Sequence, residues 1–367
     1  MQTNELFETV SSRYGLLTFF ANDTGALATS LRKYGEWAEN ELQFMLSAIP
    51  VGSTIIDVGA YVGTHAMAFS RHTGGAGRVV AIEAQRRSAD VLARNIRDNA
   101  IDNIQLENAV ICAASNGEVV SSIDIAAPAS YGSTSLVDVM AARKNKQAPE
   151  SHEPSGEELA VRSIALDDLS VQSCELVKID VEGMEDAVVR GAERLLREHR
   201  PIVYAECNSL EKGLKTWAAL AEFGYRVRAH VVLAFNPQNF RGDSENVFGV
   251  AREVALVGTS TTKADPFDAY ACRPCELLLD IDTVDDLALA LLNKPQYEQE
   301  VLRQSTAARS GGTLCLDELD ALRGVRQKFT DAFDTLRAEV GRYFDASHEL
   351  DEQFGRSVTA ICDNFRT

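Results

Sequence analysis

The chain has 367 residues, more than one hydrophobic core usually serves, and its 45% hydrophobic and 25% charged content is ordinary for a globular protein. A formal charge of −18 repels phosphate backbones and anionic membrane surfaces, which speaks against nucleic acid or a membrane as partner. The seven cysteines, an odd number scattered through apparent strands and helices, fit reduced thiols; with no basic and apolar leader and no bilayer-length apolar run, the expected location is the cytoplasm.

Residues 1–50 read as an N-terminal helical segment, because LRKYGEWAENELQFMLSAI puts Trp37, Leu42, Met45 and Ile49 near one face before Pro50-Val51-Gly52. A main domain is expected over 51–275. Within it TIIDVGA, RVVAIEA, IQLENAVI, LVKIDVEG and PIVYAEC read as buried strands, and THAMAFSRH, QRRSADVLARNIRDNA, MEDAVVRGAERLLREH and GLKTWAALAEFG as the helices between them. That alternation predicts an α/β fold with a doubly wound, Rossmann-like parallel sheet and helices on both faces. The span from 113 to about 163, rich in Ser, Ala, Gly and Pro, reads as an excursion over the active-site face. Residues 276–367 read as an α-helical C-terminal extension, in which Leu322, Phe329, Phe333, Leu336, Val340 and Tyr343 recur at helical steps. Such a stripe packs on its own domain or joins two copies as a homo-oligomer.

Asp57-Val58-Gly59-Ala60-Tyr61-Val62-Gly63 falls where the first strand of the domain turns into a helix, and Glu83 ends the next strand. Glycines there let backbone approach a ligand, and an acid at the second strand's end accepts hydrogen bonds from ribose hydroxyls. A nicotinamide dinucleotide shares this layout, but Tyr61 stands where a pyrophosphate needs the middle glycine. S-adenosylmethionine carries no pyrophosphate, so it is the preferred ligand.

The segment Val177-Lys178-Ile179-Asp180-Val181-Glu182-Gly183-Met184-Glu185, then Gly191-Ala192 and Pro201 to Glu206, sets acids at the end of a buried strand, where they are costly unless used. This pattern resembles the FkbM family of methyltransferases. Tyr34-Gly35-Glu36-Trp37, Glu41, the glycine loop and Phe235-Asn236-Pro237-Gln238-Asn239-Phe240 extend the resemblance over residues 34–250. It implies a class I methyltransferase sheet and S-adenosylmethionine-dependent O-methylation, commonly of a sugar, glycan or glycosylated natural product. Asp57, Gly59, Ala60, Tyr61, Gly63, Glu83, Ala84, Ala109 and Asp180 would then hold the cofactor. Where the family often has Asn, this chain has Tyr61.

Methyl transfer to a hydroxyl needs alignment and a base. Asp180, Glu182, Glu206 and His230 are the catalytic candidates, although Asp180 can equally cap a helix or hold the donor's ammonium, and Glu206 can equally sit in a buried salt bridge. Tyr34, Trp37, Asn236, Asn239 and Phe240 are the candidate acceptor contacts; for the asparagines, turn chemistry explains the pattern as well. Clustered carboxylates leave Mg²⁺ or Ca²⁺ an open option, but no metal ligands are assigned, and the lone pair Cys272 and Cys275 is too little for zinc. The competing functions are a small-molecule N-methyltransferase and a catalytically idle scaffold subunit.

Overall fold

The computed structural model describes residues 6–115, 117–121, 129–132 and 159–294. The amphipathic stripe of 322–343 lies outside them, as does most of the 113–163 excursion.

Five strands form the parallel heart of the domain: β3 (Thr54–Val58), β4 (Arg78–Glu83), β5 (Ile104–Ile111), β8 (Leu176–Ile179) and β9 (Ile202–Glu206). From β3 the chain moves outward through β4 and β5, then crosses back to lay β8 and β9 on the other side. The order therefore reverses between β3 and β8, and a crevice opens at the carboxyl ends of these two strands, as doubly wound sheets require. Beyond β9 come β11 (Arg252–Ser260), β10 (Tyr225–Leu233) and β12 (Glu276–Asp280), all antiparallel to their neighbours. Beyond β5 lie β7 (Leu159–Ile164) and β6 (Gly117–Ser121). This is the expected doubly wound, Rossmann-like sheet.

Strand periodicity sends alternate residues to opposite faces: Ile55, Val79 and Leu176 enter one core layer, Ile56, Val80 and Val177 the other. The first layer is covered by α1 (Ala26–Tyr34), α2 (Glu39–Ser47), α3 (Thr64–Thr73) and α4 (Arg86–Asp98); α7 (Leu210–Glu222) and α8 (Val284–Leu291) add Leu210, Leu220, Leu287 and Leu291 to the second.

Three expectations need correction. Residues 1–50 are not helical throughout: β1 (Phe7–Ser12) and β2 (Gly15–Phe20) form an antiparallel hairpin. Gly15, at φ 123°, takes the turn position that a side chain resists, and Thr9 pairs with Thr18 through their hydroxyls at 2.8 Å. Asn95 of α4 clamps the hairpin, accepting from the Thr18 amide and donating to the Thr18 and Val62 carbonyls. The helix expected over 184–199 breaks into α5 (Glu185–Arg190) and α6 (Glu193–His199), and Asp167 accepts from the freed amides of Arg194 and Leu195. Finally, the boundary placed at 275/276 falls inside the fold. β12 pairs with β10, and α8 starts on a Thr283–Asp286 capping box and buries Leu287 and Leu291. Among the described residues no helix is long and apolar enough to cross a membrane.

Candidate active site

At the crevice between β3 and β8 lies a cavity of about 290 Å³. Gly59, Ala60 and Tyr61 form one wall, Glu83, Ala84 and Ala109 the next, and Asp180, Glu182 and Glu206 the third. Asp23, Trp37 and residues 130–132 complete the lining.

The glycine loop is held from below. Gly59 and Ala60 donate to the Ile82 carbonyl at 2.9 and 3.0 Å, and Glu83 accepts from the amides of Tyr61 and Gln85, both at 2.7 Å. Each Glu83 oxygen keeps a lone pair for a ribose hydroxyl. Gly59 sits at φ 84°, and a Cβ there would lie 1.7 Å from the Asp180 carbonyl oxygen. Its smallness thus serves the contact between the loop and the end of β8, where the sequence suggested space beneath a ligand. Gly63 and Asp57 stand behind the wall: a Cβ on Gly63 would strike Leu92, and Asp57 is fully buried with neither carboxylate oxygen hydrogen-bonded. Tyr61 turns its ring away from the sheet and donates its hydroxyl to Asp23 at 2.8 Å, tying the loop to the N-terminal segment.

Lys178 is the residue that organises the acids, and sequence reasoning assigned it no role. Its ammonium lies 3.5 Å from Asp57 and 3.1 Å from Asp180. Burial disfavours its charge, but the two carboxylates outweigh burial and hold the pKa above the usual lysine value. Burial likewise opposes ionisation of Asp180, yet Lys178 and a hydrogen bond from Glu206 bring Asp180 below its ordinary range. Glu206 is pushed far up by burial and by Asp180, so it keeps its proton and donates a hydrogen bond to Asp180. Glu182, strained at φ 53°, is pushed up to about 7 by burial, Asp180 and Glu185. Carboxylate oxygens of Asp180, Glu182 and Glu206 all lie within 4.8 Å of one another. The site therefore presents one anionic oxygen pair with an acid beside it. Glu253 and Lys294, paired at 2.6 Å, line the same cavity and were also missed. His65 faces it too; burial and then Lys178 pull its pKa down to about 3, so its imidazole is neutral, and its Nε2 has no hydrogen-bond partner.

Several candidates stand elsewhere. His230 is fully buried two strands from β9, bonded to Tyr204 at 2.9 Å and Glu276 at 3.2 Å, because β11 lies between its strand and the cavity. Asn236 spends its amide on Glu36 and the Gln238 amide, and Asn239 bonds the carbonyls of Asn236 and Asp243, which is turn chemistry. The Phe240 side chain is exposed, and Tyr34 is buried against Phe235 and Phe248. Of the acceptor candidates Trp37 alone lines the cavity. Cys272 and Cys275 join no group of potential metal ligands among the described residues.

The model of the methyltransferase FkbM domain matches residues 57–227, from Asp57 at the end of β3 to Val227 in β10. The chain carries an FkbM methyltransferase domain. The matched span contains the glycine loop, Glu83 and all three clustered carboxylates. No curated protein matches the chain. Among solved structures it is similar to the precorrin-6y C5,15-methyltransferase of Geobacter metallireducens (15% identity, 60% of this chain and 88% of that one, TM-score 0.36). A methyltransferase FkbM of Methylobacillus flagellatus aligns at 16% identity over 56% of this chain and 44% of that one, with a TM-score of 0.34. An O-methyltransferase of Bacillus cereus aligns at 12% identity over 64% and 86%, with a TM-score of 0.35.

The raised carboxyls set a pH dependence. Glu83 and Glu182 near 7, Glu41 near 8 and Glu206, also pushed up by burial, keep protons in the folded protein that the unfolded chain has released above about 4.5. Stability from these groups falls as pH rises through their folded values. His65 and His230, with lowered values, oppose this trend only below about 6.5, where unfolded histidine gains its charge. The melting temperature of the ligand-free protein is therefore expected to drop between pH 6.5 and 8. Glu182→Gln should make that drop smaller; a melting temperature that rises over this window in the wild type contradicts the assignment.

Proposed function

We propose that the protein transfers the methyl group of S-adenosylmethionine to a hydroxyl of a sugar, glycan or glycosylated natural product. The observation that carries this reading is the trio Asp180, Glu182 and Glu206, gathered within 4.8 Å on the wall of the cavity that the glycine loop also lines. The bound donor supplies a methyl group on a sulfonium, open to in-line attack. Glu83 and the loop from Gly59 to Tyr61 are placed to hold its nucleoside part.

A sugar hydroxyl is a poor acid, and its proton must have somewhere to go as the oxygen attacks. Asp180, ionised beside Lys178, is the acceptor for that proton; Glu206 holds a proton of its own and steadies the Asp180 charge through their hydrogen bond. Trp37 offers an aromatic face to the apolar side of a sugar ring. The oxygen-only trio would also suit Mg²⁺ or Ca²⁺ as hard cations.

The test is transfer of an isotope-labelled methyl group to a panel of glycans and glycosylated metabolites, with and without Mg²⁺. Label on acceptors that offer hydroxyls alone supports the proposal. Label confined to amines makes the protein an N-methyltransferase instead.

A further inference from the structure

A second polar network, buried and outside the methyl-transfer cavity, runs through the antiparallel half of the sheet. Glu276 of β12 is held by Tyr270 at 2.6 Å and by Arg273 at 2.5 Å, so it is a carboxylate with no proton to give. The Glu276 carboxylate must therefore accept from His230 Nε2, 3.2 Å away. Nε2 therefore carries a hydrogen, and because burial lowers the His230 pKa the ring holds only that one, which leaves Nδ1 as an acceptor. Its partner is the Tyr204 hydroxyl at 2.9 Å, while Phe44, stacked on the imidazole at 3.9 Å, keeps the ring in plane. Tyr204 has one hydrogen, and His230 takes it. The Tyr204 oxygen then meets Glu41 of α2 at 3.2 Å with lone pairs only. The contact is a hydrogen bond only if Glu41 carries the proton.

We propose that the chain Glu276–His230–Tyr204 is a positioning device that holds Glu41 as a neutral, proton-donating acid beside the Asp180–Glu206 cluster. This rests on that cluster being the methyl-transfer centre. The groups whose charges reach Glu41 are Glu253 of β11, Asp180 and Lys178 of the β8 end, and Lys294 beyond α8, with Tyr204 of β9 in contact. Burial and the two acids among them push Glu41 up to about 8, in the direction that the hydrogen-bond chain requires. Kept neutral, Glu41 adds no negative charge next to Asp180, and the anion stays where the acceptor's proton is to be received. His230, placed among the catalytic candidates by its residue type, acts here through Tyr204 and does not line the methyl-transfer cavity.

The sign of one shift decides. Infrared spectra of the wild type and Glu41→Gln between pH 6.5 and 9.5 identify the Glu41 acid carbonyl band by its absence from the variant, with a wild-type midpoint near 8 expected. Tyr204→Phe removes the acceptor of the Glu41 proton and should lower that midpoint by about one pH unit or more. A raised or unchanged midpoint, or no protonated Glu41 band at pH 7, overturns the proposal. If Tyr204→Phe does not fold, melting of Glu41→Gln decides: its amide donates to Tyr204 as the acid does, so it should melt above the wild type at pH 9. Melting below the wild type at that pH overturns the proposal. S-adenosylmethionine affinity, measured on the same wild-type preparation, tests the methyltransferase reading separately.

Discussion

Asp180→Asn is expected to slow methyl transfer by about 10³-fold, within the range by which a positioned base accelerates proton removal. The amide keeps the side chain's shape, but it carries no charge and cannot take the acceptor's proton. The loss should fall on kcat, with the KM for S-adenosylmethionine changed by less than about threefold, since an interaction made only in the transition state lowers kcat. Asp180 has a second reading, holding the donor's ammonium, and the two separate in the same experiment. Weakened donor binding with a nearly unchanged kcat assigns Asp180 to the donor, and steady-state kinetics at saturating acceptor distinguish the outcomes.

Lys178→Met should be the most damaging change to the fold around the site. Lys178 and Asp57 have side chains only 6% and 0% exposed, and Lys178 is the cation paired with Asp57. Removing the ammonium leaves a buried carboxylate without a counter-charge, which costs about 3–5 kcal/mol. Asp57 will escape part of that cost by taking a proton, so the variant should lose stability as pH rises, and Asp57→Asn in the same chain should restore much of it. Urea denaturation at two pH values measures both effects. A Lys178→Met protein as stable as the wild type at pH 8 would mean that the pair does not hold the loop.

Most of the frame was legible because its signals are periodic. The β5 strand begins and ends where its apolar run does, and the first-strand glycine loop announced the crevice. The N-terminal hairpin was lost because its alternation, FETVSS against GLLTFF, is short and Gly15 is its one strong turn signal, with Arg13 and Tyr14 at the tip. Lys178 was within reach. In V-K-I-D the period of two puts Lys178 and Asp180 on one face of a strand, and a lysine there needs a buried partner. Glu253 and Lys294 were not: they meet the cavity from strands and loops distant in sequence, which single-chain patterns do not connect. The asparagines of 236–239 mislead for a different reason. Their amides look free to recognise hydroxyls until Glu36 and the backbone are seen to use them. His230 shows the same limit, its type naming a base while its neighbours make it a link between Tyr204 and Glu276.

The most direct measurement is calorimetric titration of the full chain with S-adenosylmethionine and, separately, with NAD. Micromolar binding of the methyl donor with none of the dinucleotide is the predicted result, from a loop where Tyr61 replaces the glycine that a pyrophosphate needs and Glu83 faces a nucleoside-sized cavity. Binding of NAD alone, or of neither, would contradict it.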